Sequence, residues 1–323
     1  MSEKIVITGG SGFIGSALVK RLVNLGHKVT IIDNNSRGNV NRLEGYLDKI
    51  EYIKGDIRDK DFVSRAMVDS NTIFHLAFIN GTKFFYEQPK LVLDVGVKGI
   101  INTLEAVELG NVSTYILASS SEVYQEPINI PTDEKERCVI TDTYNPRFSY
   151  AGGKLISELL AINFFRNSAV RDIIFRPHNI FGPDMGFEHV IPEIIKKLYY
   201  ASDRWKKNKV DLEIQGTGME TRAFCYIEDA IDQIIVLYNK GKKGETYHIG
   251  IDNEITISDL INKISEFLKL EVNIKQGKLK SGGTNRRCPD ISKIKKLNYN
   301  RKDRFVEGLK ETVFWYRDNF TNS

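Results

Sequence analysis

Apolar residues recur along the first half of the chain in short β-branched runs, at Ile5–Thr8, Val29–Ile32, Glu51–Ile53, Thr72–Leu76, Thr114–Ser119 and Asp172–Arg176. Between them lie longer segments with helical periodicity. Runs that lack in–out alternation suit strands buried on both faces, and intervening helices cover those faces. The pattern therefore predicts an α/β fold with a doubly wound parallel sheet of the Rossmann type. Two long helices are expected, about Leu91–Leu109 and Ser149–Arg166, which either pack on the sheet alone or also form a dimer interface. After Pro177 the texture turns irregular, punctuated by Gly182, Pro183, Pro192, Gly216, Gly218 and Pro289. The expected division is a Rossmann domain over 1–176 and a smaller, interleaved C-terminal lobe over 177–323, with some strands and helices returning to the sheet. Ligands of such sheets bind above the strand ends.

The first apolar run leads into TGGSGFIG, residues 8–15, and then into the amphipathic stretch Phe13–Leu25. This order predicts a strand, a glycine-lined corner and a helix. Gly9 permits the tight turn, Gly12 lets the backbone approach a diphosphate, and Gly15 lets helix and strand pack closely. The free N–H groups of the helix start face the anion. The second strand, Lys28–Ile32, ends in Asp33, whose carboxylate suits the ribose hydroxyls of NAD and repels the extra phosphate of NADP. A lone glycine triplet is a weak signal, readable also as a structural turn; its place in a strand–helix–strand unit favours the dinucleotide.

Composition narrows the class. A chain of 323 residues with net charge +4 has no single basic block, so no nucleic-acid partner is expected. Basic residues thicken between Lys275 and Arg304, either as a solvated helix face or to hold a substrate phosphate. Cys138, Cys225 and Cys288 show neither paired nor metal-ligand spacing and read as reduced thiols, with no metal site. Without a signal-peptide core or an apolar run of membrane-spanning length, the expectation is a soluble, cytoplasmic protein with no membrane partner.

Tyr150-Ala-Gly-Gly-Lys154 puts a phenol and an ammonium four residues apart on one helix face. A nearby cation stabilises phenolate, so Tyr150 is expected to act as a general base near neutral pH while hydride leaves the same carbon. The fifth strand ends in Ala118-Ser119-Ser120-Ser121-Glu122-Val123-Tyr124, where a hydroxyl can share the reacting proton. These serines alternatively just end the strand.

In this order, TGGSGFIG, Asp33, Gly55-Asp56-Ile57, His75-Leu76-Ala77, SSSEVY and YAGGK resemble the extended short-chain dehydrogenase/reductase family over nearly the whole chain. The resemblance implies tightly held NAD, a nucleotide-diphosphate sugar as substrate and a homodimer. It assigns Ser120 as hydroxyl partner, Tyr150 as base and Lys154 as its electrostatic and ribose-binding support. Asp33, Asn34, Asp56 and Ile57 fall at the adenosine half of NAD; Gly9, Gly12, Phe13, Ile14, Gly15, Leu76 and Ala77 complete the cofactor site. On the substrate side it implies Ser121, Asn179 in RPHNIFGP, Arg222 after Gly216-Thr217-Gly218, and Arg287 before Pro289-Asp290-Ile291. The two arginines are assigned to phosphate. Two positions depart from the family: Gln125 stands for a usual glycine, and Gly96 for an asparagine beside the nicotinamide.

Oxidation at carbon 4 of a sugar gives a ketone that acidifies the hydrogens at carbons 3 and 5. Chemistry there requires another acid or base, and Glu122 is the expected one. The phrases RPHNIFGP, GTGMETRAFCYIED and ETVFWYRD are similar to the GDP-mannose 3,5-epimerases, whose opposing acid or base is a lysine near Glu188-His189. Glu122 and His189 are accordingly expected on opposite sides of the 4-keto-sugar. The first reading is an NAD-dependent nucleotide-sugar epimerase; a 4,6-dehydratase or decarboxylase is the alternative. A net dehydrogenase releasing NADH and a non-catalytic NAD-binding sensor or scaffold are the other classes. The nucleotide base stays open, with Arg204 and Trp205 readable as a base pocket or as an exposed helix end.

Overall fold

The computed structural model describes residues 2–277, 285–300 and 302–320. Strands β1 (Lys4–Thr8), β2 (Lys28–Asp33), β3 (Ile50–Lys54) and β4 (Thr72–His75) alternate with α1 (Phe13–Asn24) and α2 (Lys60–Met67). A short α3 (Thr82–Glu87) and the long α4 (Pro89–Leu109) lead to β5 (Thr114–Ala118), and α5 (Phe148–Phe164) leads to β6 (Arg171–Pro177). Then follow β7 (Ile180–Phe181), α6 (Val190–Ala201), β8 (Lys209–Glu213), β9 (Thr221–Arg222), β10 (Cys225–Tyr226), α7 (Ile227–Lys240) and β11 (Glu245–Ile249). The chain continues through β12 (Ile255–Thr256), α8 (Ile257–Leu268), β13 (Glu271–Lys275), β14 (Arg286–Arg287), α9 (Ser292–Lys295) and α10 (Phe305–Asn319).

Seven parallel strands form the central sheet in the order β11-β6-β5-β4-β1-β2-β3. The order reverses at β1, so the crevice between the ends of β1 and β4 is the switch point where such sheets take ligands. Successive strand residues point to opposite faces, and both faces are covered. Ile5 and Ile7 of β1 join one buried cluster with α1 and α7; Val6 joins the other with α2, α4 and α5. This double burial is why the strands read as continuous apolar runs. Helix α4 starts two residues before the expected Leu91, at Pro89, where the missing proline N–H has no intrahelical partner to lose.

The C-terminal elements have no core of their own. Ile191 and Ile195 of α6, Leu260 of α8 and Leu309 of α10 join the same cluster as Ile5 and Ile7. Within the second segment, α7 packs on α1 and β11 pairs with β6, so 227–249 belongs to the sheet. Lys278, Lys280 and Arg301 of the basic stretch lie outside the described residues. No helix among the described residues is long and apolar enough to cross a membrane.

One buried ion pair ties the sheet to the helix that carries Tyr150. Arg176 at the end of β6 donates to both carboxylate oxygens of Glu158 on α5, at 2.8 and 2.5 Å, and both side chains are buried. Ser119, at the end of β5, donates to the same carboxylate. Replacing Glu158 by Leu leaves Arg176 buried without its counter-ion and should destabilise the protein by about 3–5 kcal/mol. The loss should appear as a lower denaturant midpoint at unchanged slope. The double variant Glu158→Leu, Arg176→Met should recover much of it; an unchanged midpoint in the single variant would contradict this account.

Candidate active site

The corner after β1 is shaped by close approach. Gly9 has φ +74°, and a Cβ there would come within 2.8 Å of the Ala77 backbone nitrogen, because the turn lies against the end of β4. A Cβ on Gly15 would stand 2.1 Å from the Gly9 carbonyl oxygen, so α1 packs directly on the turn. Gly12 differs, since its Cβ would meet only that carbonyl, at 3.1 Å, and the space above it opens into a cavity. Helix α1 has neither a side-chain cap nor an acidic residue in its first turn. A bare helix start beneath an open glycine is what a pyrophosphate requires, so these residues fit NAD.

Asp33 ends β2 buried, its carboxylate accepting from Ser11 N at 3.0 Å and Asn35 N at 2.8 Å. A cleft there is lined by Asp33, Asn34, Asp56 and Ile57, the residues expected at the adenosine half, together with Leu76 and Ala77. Asn34 donates to Asp56 at 3.1 Å, and Arg58 holds the Asp56 carboxyl below the usual carboxylate range. Past Gly9, Gly12 and Phe78 the cleft meets a larger cavity of about 460 Å³. Its walls bring together Phe13, Ile14, Gly15, Ser120, Ser121, Glu122, Tyr150, Lys154, Asn179 and His189.

Ser120 caps the single turn Ser121–Tyr124, accepting from Glu122 N at 3.2 Å, and its hydroxyl also bonds the Tyr150 phenol. Lys154 donates to the Ala118 carbonyl at 2.6 Å. The electrostatics differ from the sequence expectation. Burial pushes the Tyr150 phenol above its ordinary value, the Ser120 bond opposes it, and the Glu122 charge adds to it. Burial also pushes Lys154 down to about 7, against the pull of Glu158. Spacing gave the right neighbours, but desolvation of both groups outweighs the attraction of the cation for phenolate in the chain alone.

Sequence reasoning did not foresee the aromatic lining. The Phe78 ring lies 4.2 Å from Lys154 Nζ and edge-on to Tyr150 at 5.2 Å, while Phe85 stacks on Tyr150 at 4.9 Å. Room for Phe78 comes from two glycines: a Cβ on Gly96 would meet its ring at 2.3 Å, and one on Gly153 at 2.9 Å. Gly96, flagged as a missing asparagine, thus admits an aromatic ring into the asparagine's space. Gln125 has φ +53°, the conformation a glycine would take freely, and its side-chain amide donates to the Glu122 carbonyl at 2.6 Å.

Glu122 forms a short ion pair with Arg287. Burial works to raise its pKa, but Arg287 first, then Arg147 and Arg222, outweigh it and keep the carboxyl below its usual range. Arg222 and Arg287 stand opposite one another on β9 and β14. Burial and the Arg287 charge push Arg222 down to about 10. Two guanidinium groups side by side suit an anion of more than one charge. His189 stands at the N-cap of α6, where burial and then Arg37 lower its pKa and leave the imidazole neutral near pH 7. Trp205 packs on Tyr199 and Phe320 against the same buried cluster as Ile5 and Ile7, which places it in packing and not in a base pocket.

Residues 5–250 match the model of the NAD dependent epimerase/dehydratase family. The chain belongs to that family. Membership makes this an NAD-dependent enzyme, on the extended short-chain dehydrogenase/reductase pattern read from its motifs. It is 31% identical to the UDP-N-acetyl-alpha-D-glucosaminuronate decarboxylase of Bacillus cytotoxicus, over 98% of this chain and 99% of that one. Its fold is similar to a UDP-N-acetylglucosamine 4-epimerase of Methanobrevibacter ruminantium, with TM-score 0.87 and 27% identity, covering 98% and 99% of the two chains. A dTDP-glucose 4,6-dehydratase double mutant of Streptomyces venezuelae with NAD bound aligns at TM-score 0.84 and 25% identity, covering 98% of each chain. Family members with this fold thus carry out all three reactions weighed above.

Burying Lys154 has a measurable cost. Its pKa falls from the 10.5 of a free lysine to about 7, so between those values the unfolded chain binds the extra proton and folding is opposed. The penalty is complete below about pH 7 and fades as pH rises to 10.5. Lys154→Met should therefore melt higher than the parent at pH 7 without NAD, with the gain shrinking toward pH 10, while turnover is lost. Equal melting temperatures at pH 7 would refute the burial account.

Proposed function

We propose that the enzyme is a nucleotide-diphosphate-sugar epimerase working through a transient 4-keto-sugar. Gly12 and the start of α1 hold the pyrophosphate of NAD, Asp33 its adenosine ribose, and Lys154 its second ribose. Bound NAD supplies the hydride acceptor for oxidation and the donor for its reversal. Tyr150 takes the proton of the carbon-4 hydroxyl, with Ser120 sharing it, and returns it when the ketone is reduced. Asn179 supports the sugar nucleotide, Ser121 lies beside the sugar, and Arg222 and Arg287 take the diphosphate.

The observation that carries the reading is the ionised Glu122 carboxylate in the same cavity as Ser120 and Tyr150. Inversion at carbon 4 alone needs no such group. Inversion beside the ketone needs a base, which Glu122 provides once a substrate phosphate competes for Arg287. His189, as neutral imidazole, returns the proton from the other side. Decarboxylation is the second reading, favoured by the full-length relative of that name.

The test is incubation with UDP-, GDP-, CDP- and dTDP-sugars in heavy water, with products read by NMR and mass spectrometry. The expected product keeps its elemental composition and carries deuterium at carbon 3 or 5. Glu122→Gln should stop deuterium uptake without loss of NAD binding. Tyr150→Phe should lower kcat by about 10²–10⁴-fold. Loss of carbon dioxide or water would replace epimerisation by one of the other two reactions.

We also propose a homodimer through α4 and α5. These helices pack together and leave Leu93, Ile101, Ile156 and Leu159 partly exposed on their outer faces. Such a stripe suits a two-fold, self-complementary contact. Sedimentation should give a dimer that Ile101→Asp with Leu159→Asp converts to a folded monomer; a monomeric parent would rule the contact out.

A further inference from the structure

Four cationic side chains line the catalytic cavity: Arg37, Arg42, Arg147 and Lys154. Three are already engaged. Arg37 pairs with Glu188 at 3.5 Å, Arg42 grips the Asp184 carboxylate at 2.7 and 3.1 Å, and Lys154 donates to the Ala118 carbonyl at 2.6 Å. Arg147 is different. Its backbone N–H donates to Asn145 Oδ1 at 3.1 Å, but among the described residues its guanidinium makes no hydrogen bond or ion pair.

Position says which part of a substrate this group faces. Arg147 immediately precedes α5 and stands three residues before Tyr150, so its side chain shares the helix face of the phenol. The diphosphate has its own pair of guanidinium groups on β9 and β14. Glu122, whose carboxylate feels the Arg147 charge, spends its short contact on Arg287. A half-buried guanidinium left unpaired beside the reacting carbon is costly unless the ligand brings it an anion. The hydroxymethyl group of a neutral hexose offers only a weak acceptor, whereas a carboxylate at the same carbon matches the fork of the guanidinium with two parallel bonds.

We infer that Arg147 binds a carboxylate on the sugar ring, so that the substrates are nucleotide-diphosphate uronates and not neutral hexoses. The inference rests on the nucleotide-sugar reading above and adds to it the acidic class of sugar and the residue that selects it.

Matched pairs test it, because they differ only at carbon 6: UDP-glucose with UDP-glucuronate, GDP-mannose with GDP-mannuronate, and dTDP-glucose with dTDP-glucuronate. Calorimetry on the NAD-loaded protein should show at least one uronate binding about 10- to 100-fold more tightly than its neutral partner, as expected for a charge-assisted contact. Arg147→Gln should bring that ratio close to one, and Arg147→Lys should restore part of it. No uronate preference in any pair overturns the inference. So does an Arg147→Gln variant that weakens free UDP, GDP or dTDP as much as the uronate, since the guanidinium would then serve the diphosphate. Binding needs no turnover, so the two readings fail separately: conversion of neutral sugars in preference to uronates leaves the proposed function standing and sinks this one. A uronate that binds preferentially yet takes up no deuterium at carbon 3 or 5 does the reverse.

Discussion

The buried pair between Arg176 and Glu158 is the constraint on which the geometry of the site depends. Glu158 lies one turn beyond Lys154 on α5 and is shared by Arg176 of β6 and Ser119 at the end of β5. One carboxylate therefore sets the register of three elements around Ser120, Tyr150 and Lys154. Arg176 also donates to the Tyr124 hydroxyl, which meets His248 Nε2 on β11 at 2.6 Å, and the His248 backbone N–H donates to Glu134 at 2.9 Å. The network thus reaches from the catalytic helix to the edge strand that follows the lobe's first elements. A buried ion pair adds little net stability, because desolvation consumes most of the attraction. Its effect here is on arrangement, since any other packing would strand a charge.

Around that frame, the neighbourhood of Tyr150 is drier than its motif implies. Phe78 and Phe85 cover the phenol and Phe78 faces the ammonium, in space that Gly96 and Gly153 leave open. An asparagine at Gly96 would have brought a polar side chain; the ring brings apolar surface and a cation–π contact. The displaced pKa values of Tyr150 and Lys154 follow from the same covering, and they mark the pair as groups whose charge states depend on what enters the cavity.

Much of this was legible in the sequence because it rests on local rules. Strands buried on both faces appear as apolar runs, and a glycine corner after the first of them fixes the cofactor end. Four-residue spacing places Tyr150 and Lys154 on one face. Strand β11 was not among the runs because its buried positions include His248, whose ring is held in the core by Tyr124 and the Asp290 carbonyl. The Glu122–Arg287 pair depends on a contact between distant segments, and no periodicity encodes it. Phe78 was hidden for a related reason: its significance lies in the side chains absent from Gly96 and Gly153, which spacing cannot express.

Charge balance joins these parts. Arg222 and Arg287 lie side by side on paired strands, an arrangement that disfavours the protein by itself and is eased by Glu122. A nucleotide diphosphate, on the proposed function, brings two negative charges to this pair and competes with Glu122 for Arg287. The displaced carboxylate keeps its burial and loses its main cation, and both effects raise its pKa toward that of a useful base. On that proposal, phosphate binding is coupled to basicity beside the reacting carbon, and the extra base forms when a nucleotide-bearing sugar is in place.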